Sequence, residues 1–133
     1  MGFLDNNRLI IAVDFDGTLC TEEFPKIGEQ NWEQKKLMSL LVQLRNMGNK
    51  LILWTCRGDN EERKYLTEAV DWCGDMGLEF DGINANIKGL NKPSGWSPKI
   101  VADIYIDDKS MGAISSLWLE TVNSQLQNII NEG

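Results

Sequence analysis

The sequence contains no histidine. That excludes His-based catalytic triads, His general bases and His-ligated zinc. Its three cysteines, Cys20, Cys56 and Cys73, are an odd number without CxxC spacing. They read as free thiols of a reducing compartment rather than as a disulfide framework. Long apolar runs are missing too: the longest, Leu9 to Val13, falls far short of the ~20 residues a membrane helix needs. The stretch Met1–Asp5 has no basic region before an apolar core and no small-residue cleavage site, so a cytoplasmic location and no membrane partner are expected. Basic charge is in deficit, with 13 Lys and Arg against 20 Asp and Glu and a net charge of −7. Binding to nucleic acid by bulk charge is therefore not expected. The chemistry left to this chain rests on carboxylates, hydroxyls, Lys, Arg or a hard metal ion.

What is present suits an ordinary globular protein. At 133 residues the chain matches one domain of about 150. Hydrophobic residues at 42% and charged residues at 25% rule out disordered, collagen-like and coiled-coil classes. Arg8–Phe15 is a continuous apolar run suited to a strand buried on both faces, and it stops at Asp16-Gly17-Thr18. Residues 18–30, with Pro25 and Gly28, read as a flap. Asn31 can cap a helix with Gln34 at its third position, and Leu37, Leu40, Leu41 and Leu44 give that helix its apolar stripe. Lys50–Trp54 is a second buried strand ending at Thr55-Cys56-Arg57-Gly58. A second helix is predicted to open at Asn60, with Leu66, Ala69, Val70 and Cys73 on its apolar face. A short strand is expected within Phe80–Ala85, a loop over 86–98, a helical turn at Lys99–Ala102, a strand at Ile104–Ile106 and a terminal helix over about 114–131. Alternating strands and helices predict a Rossmann-like α/β fold, a three-layer sandwich around a central parallel sheet.

In such sheets ligands sit at the carboxyl ends of the strands. Three predicted strand ends carry chemically suggestive residues: Asp14–Thr18, Thr55–Gly58 and Asp107-Asp108. Side chains alternate in extended chain, so Asp14 and Asp16 can share a face while Phe15 takes the other. Gly17 permits a tight turn and close backbone approach, and Thr18 offers a hydroxyl and an amide to an anion. Four carboxylates in one crevice repel strongly. A divalent cation resolves that conflict, and hard oxygen ligands without His or Cys suit Mg²⁺. Asp-Gly after a strand is also an ordinary turn signal. The pattern Asp-x-Asp-Gly-Thr, at roughly 5% per position, arises by chance on the order of once in a thousand chains of this length.

IIAVDFDGTLC resembles motif I (DxDGT) of the haloacid dehalogenase-like (HAD) phosphohydrolase superfamily. LILWTCR is similar to its second motif, a strand ending in Thr or Ser, and ADIYIDD to its fourth, a strand ending in paired acids. The runs DFDGTLC, PKIGE, LILWTCR and SPKIVADIYIDDKS resemble small bacterial and phage members. The resemblance implies a Mg²⁺-dependent phosphatase. Asp14 would be the nucleophile that forms an aspartyl-phosphate, and Asp16 the general acid and then base, its protonated form favoured by the crowded negative field. The metal would be held by Asp14, the Asp16 main-chain carbonyl and Asp107, with Asp108 in support. Thr55 would donate to a phosphoryl oxygen. Beside the resemblance, Gly17, Thr18 and Cys56 are candidate substrate contacts by position, and Arg57, just past Thr55, is read either as a substrate contact or as an ordinary helix-proximal salt bridge. Lys99 is the choice for the charge-neutralising lysine among Lys88, Lys92 and Lys99, while Lys109 balances the acidic pair. A phosphotransferase using the same intermediate, and a non-enzymatic phospho-acceptor or binding module, are the rival readings.

Residues 17–49 and 59–98 leave no room for a folded cap domain, so an HAD-like domain without a cap is expected over 1–133. Its open cleft would admit a phosphorylated small molecule or an exposed phosphate on a larger one, or a second subunit would cover it in a homo-oligomer. Of the five tryptophans, Trp54 is read as core and Trp32, Trp72 and Trp118 as helix-face residues. Trp96 is read as the one near the cleft mouth, with packing as its alternative role.

Overall fold

The computed structural model describes Leu4 and residues 7–89 and 99–133. Leu9–Val13 is apolar enough to be buried on both sides, and Ile10–Val13 forms strand β1, every residue of it buried. Helix α1 spans Trp32–Asn46, strand β2 Lys50–Leu53, helix α2 Tyr65–Asp75, strand β3 Gly82–Ile83 and strand β4 Ile104–Ile106. A short 3₁₀ turn at Met111–Ile114 leads into helix α3, Trp118–Glu132. The four strands are parallel in the order β3-β2-β1-β4. No described helix is long and apolar enough to cross a membrane.

Strand alternation divides the sheet's side chains between two cores. Ile11, Val13, Leu51 and Leu53 face a core filled by Leu37, Leu40, Leu41 and Leu44 of α1, Ala69 and Cys73 of α2, and Leu119 and Leu126 of α3. Ile10, Ala12 and Ile52 face the other, which is closed by Ile87, Ile100, Ala102 and Leu4. Among the described residues all three α-helices therefore serve one face. The second helical layer of the expected three-layer sandwich is not seen there, because the connection from β3 back to β4 crosses that face as irregular chain at 84–89 and 99–103.

Local signals explain most boundaries. Asn31 Oδ1 accepts from the Gln34 N–H at 2.9 Å and Gln34 Oε1 accepts from the Asn31 N–H at 3.0 Å, the reciprocal cap expected for α1. Helix α2 opens at Tyr65, not at Asn60. Asn60 Oδ1 accepts from the N–H groups of Glu62 and Arg63 and holds a turn, while Asp59 accepts from the N–H groups of Leu66 and Thr67. Lys99–Ala102 is not helical. Side chains replace the helical bonds there: the Val101 N–H donates to Asn86 Oδ1 at 2.6 Å, and Tyr105 Oη donates to the Ile100 carbonyl at 2.7 Å. The expected terminal helix starts late because Ser115 is extended and separates the 3₁₀ turn from α3.

The strand order sets the functional edge. The chain winds outward from β1 to β2 to β3, then returns past β1 to β4. Reversal of direction between β1 and β4 opens a crevice at the carboxyl ends of those two strands, where α/β sheets bind ligands.

Candidate active site

Register builds the site. Val13 pairs with Ile106 on one side and with Leu53 on the other. Asp14, Asp107 and Trp54 therefore stand abreast, one residue past the paired strands. The Asp14 N–H donates to the Ile106 carbonyl at 2.9 Å and the Trp54 N–H to the Val13 carbonyl at 2.8 Å, so the ladder extends to this row. A cleft of about 540 Å³ opens here, lined by Asp14, Asp16, Asp107 and Asp108 together with Thr55, Arg57, Trp54 and Phe24.

One carboxylate oxygen from each of Asp14, Asp107 and Asp108 lies within 4.8 Å of the other two. Burial pushes the Asp14 carboxyl up to about 7, and the negative charges of Asp107 and Asp108 push the same way against the stabilising Phe15 N–H. Such a group takes up a proton or a cation. Buried Thr18 ties the two loops together: its Oγ1 accepts from the Asp108 N–H at 3.2 Å and makes a long 3.5 Å bond to Asp14 Oδ2. Gly17 has φ +83°, and a Cβ at this position would collide with Asp108 Oδ2. Only glycine lets the β1 and β4 loops approach this closely.

Asp16 turns elsewhere. Arg57 Nε and Nη2 each donate to one of its carboxylate oxygens at 2.8 Å. The Arg57 side chain is 1% exposed, and its Cζ lies 5.0 Å from the Phe15 ring centroid and 5.1 Å from that of Phe24. Its remaining donors reach the carbonyls of Pro25 and Lys26 in the flap and of Tyr65 in α2. The base of the flap is closed by the Thr21 N–H donating to the Glu29 carbonyl at 2.7 Å. Arg57 thus fixes the Asp16 carboxylate, the flap and the start of α2 at once.

Thr55 is half-buried in the cleft wall. Its Oγ1 accepts from the Arg57 N–H at 3.1 Å, which leaves the hydroxyl hydrogen free to donate, and its own N–H donates to Asn84 Oδ1 at 2.8 Å. Cys56 is exposed on the lining, whereas burial pushes the Cys20 thiol up to about 11 and the Cys73 thiol up to about 12, keeping both unreactive.

The sequence-predicted residues thus divide. Asp14, Asp16, Thr55, Cys56, Arg57, Asp107 and Asp108 come together. The acidic triad leaves out the Asp16 carboxylate, which Arg57 holds. Gly17 and Thr18 do not offer themselves to an anion: the Gly17 N–H donates to the Cys20 carbonyl, the Thr18 N–H to that of Phe15, and the Thr18 hydroxyl is used between the loops. Arg57 spends its fork on Asp16 and carbonyls rather than reaching outward. Lys88 and Lys99 are not on the cleft lining; Lys109 is, with Nζ 4.0 Å from Asp108 Oδ2. Lys92 and Trp96 lie outside the described residues. Trp54 is not core: it follows the alternation of Ile52 but lies past the strand end, and it is 41% exposed. Phe24 is not among the sequence-predicted site residues, and Trp54 is there read as core. The strand end at Leu53 was the available signal for Trp54.

A solved structure of a conserved protein from Bacteroides thetaiotaomicron is 34% identical to the chain, covers 92% of each chain and superposes with a TM-score of 0.71. The chain belongs to the same family as that protein. No family model and no curated protein sequence matches the chain. The match extends over nearly the whole of both chains.

Proposed function

We propose that the protein is a Mg²⁺-dependent phosphomonoester hydrolase of the HAD type, without a cap domain, acting through an aspartyl-phosphate on Asp14. The convergence of Asp14, Asp107 and Asp108 at the β1/β4 switch point carries this reading. Asp14 Oδ would attack phosphorus as the bond to the leaving oxygen breaks, and the leaving oxygen would take the proton of the Asp16 carboxyl, which the attacking water returns in the second step. Water would then attack the acyl-phosphate phosphorus and release phosphate, restoring the Asp14 carboxylate. Asp14, Asp107 and Asp108 fit a divalent cation, since their oxygens are close together and hard. Bound there, the cation would supply charge neutralisation of the phosphoryl oxygens. Thr55 has a hydroxyl hydrogen available for a phosphoryl oxygen. Lys109 takes the place of Lys99 as the cleft's lysine.

Asp16 as acid and base requires its carboxylate to leave Arg57. The pairing observed also favours the second reading, a phospho-acceptor whose acyl-phosphate persists while Arg57 engages the Asp16 carboxylate. Turnover of p-nitrophenyl phosphate with Mg²⁺ or with chelator, in wild type and Asp14→Asn, tests the proposal. Metal-dependent hydrolysis that falls by on the order of 10³-fold or more in the variant is expected. Metal-independent turnover, or full activity in Asp14→Asn, refutes it. Stable phosphorylation of Asp14 by a small phosphodonor without turnover selects the second reading.

A further inference from the structure

We propose that the cleft selects a small phosphomonoester whose leaving group carries a flat unsaturated ring, with Trp54 as the platform on which the ring stacks. This rests on the hydrolase reading of the same site. Because Leu53, Val13 and Ile106 are in register, Trp54 flanks Asp14 on the side opposite Asp107. A phosphoryl group at Asp14 then has the acidic row on one side and an indole on the other.

The indole is 41% exposed and the Phe24 ring 51% exposed, and both line the cleft. Leaving large aromatic surface in water forgoes the burial that Phe15 obtains, its ring meeting that of Trp72 edge to face at 5.6 Å. Phe24 is not loose. Its ring sits 5.2 Å from that of Tyr65 and lies against the buried Arg57 guanidinium, so the flap presents it in a fixed place.

The remaining wall argues against other leaving groups. Glu22 adds negative charge, and among the described residues Lys109 is the one lysine on the lining, already 4.0 Å from Asp108. A second phosphate or a polyanionic tail would meet repulsion. A volume of about 540 Å³ suits a small organic molecule. Nucleoside monophosphates and aryl phosphates share the required chemistry, and a phosphotyrosyl peptide shares it on a larger body.

The test is binding, which does not need turnover. Phenylphosphonate and n-butylphosphonate are titrated calorimetrically into the protein with Mg²⁺, in wild type, Trp54→Ala and Trp54→Phe, with thermal unfolding to confirm that each variant folds. Phenylphosphonate is expected to bind on the order of tenfold more tightly than the butyl compound. Trp54→Ala should abolish that preference and Trp54→Phe should restore most of it. Equal binding of the two compounds, no binding of either, or equal loss of both in Trp54→Ala overturns the proposal. A phosphotyrosyl peptide binding tenfold more tightly than phenylphosphonate overturns it in favour of a protein substrate. Hydrolysis of phenyl phosphate, a nucleoside 5′-monophosphate and glycerol phosphate is followed alongside. Ring preference in binding without hydrolysis of any ester sinks the hydrolase reading and leaves this one standing. Hydrolysis of all three at equal rates sinks this one and leaves the hydrolase reading standing.

Discussion

Asp14 and Asp16 lie two residues apart on the same turn, yet the fold treats them oppositely. Asp16 is compensated completely: both oxygens accept from a buried arginine that two aromatic rings and three carbonyls hold in place. Asp14 is left beside two more carboxylates, with burial and their charge driving its carboxyl up to about 7. A compensated buried charge is a structural joint. An uncompensated one costs stability and persists where something else, here a cation, completes it. The difference separates the knot that shapes the cleft from the acids that would do its chemistry.

The comparison breaks first at Arg57. Arg57→Met leaves Asp16 half-buried without its partner and frees the flap carbonyls, and we expect a loss of ~3–5 kcal/mol in urea unfolding. Adding Asp16→Asn should recover part of it, and a double-mutant cycle without coupling would remove the knot from the account. Asp14 should behave in the opposite sense. Its folded pKa lies above its ordinary value of 3.8, so between about 4 and 7 the native state holds a proton that the unfolded state has released. Stability of the metal-free protein should therefore fall as pH rises through that window. The fall should flatten in Asp14→Asn, and a pH series of thermal unfolding reads it. Gly17→Ala sharpens the contact between the two loops. A positive φ and the collision with Asp108 should cost ~1–3 kcal/mol and weaken divalent-ion binding together. The smallest effect lies away from both regions: Asn31→Ala removes one half of the α1 cap, for ~1 kcal/mol in chemical denaturation and no change in metal binding.

Much of this was legible in the sequence, for identifiable reasons. Continuous apolar runs bounded by Gly and Asp mark β1 and β2, and the Asn31/Gln34 spacing marks the start of α1, because these signals are local. That the acids after β1 and β4 come together follows from parallel strands sharing a carboxyl edge. What stayed hidden depends on contacts between distant segments. The partner of Asp16 is a residue whose donors are distributed over the flap and α2, and no spacing announces it. Thr18 looked available to an anion, but the neighbouring loop uses its hydroxyl. Trp54 reads as the last residue of a buried strand, and its place at the strand's carboxyl end, on the cleft lining, leaves it exposed. The helical turn that points to Lys99 in the sequence is replaced by bonds from the side chains of Asn86 and Tyr105, and Lys109 rather than Lys99 lines the cleft.

Divalent-ion binding is the most direct test of the central claim. Manganese, as a paramagnetic stand-in for magnesium, is titrated into the protein with resonance detection of the free ion, in wild type and in Asp107→Asn. The account predicts one saturable site per chain, competed by Mg²⁺, accompanied by a higher melting temperature and lost or weakened at least tenfold in the variant. Absence of stoichiometric binding at millimolar ion, or a site indifferent to Asp107→Asn, would contradict it.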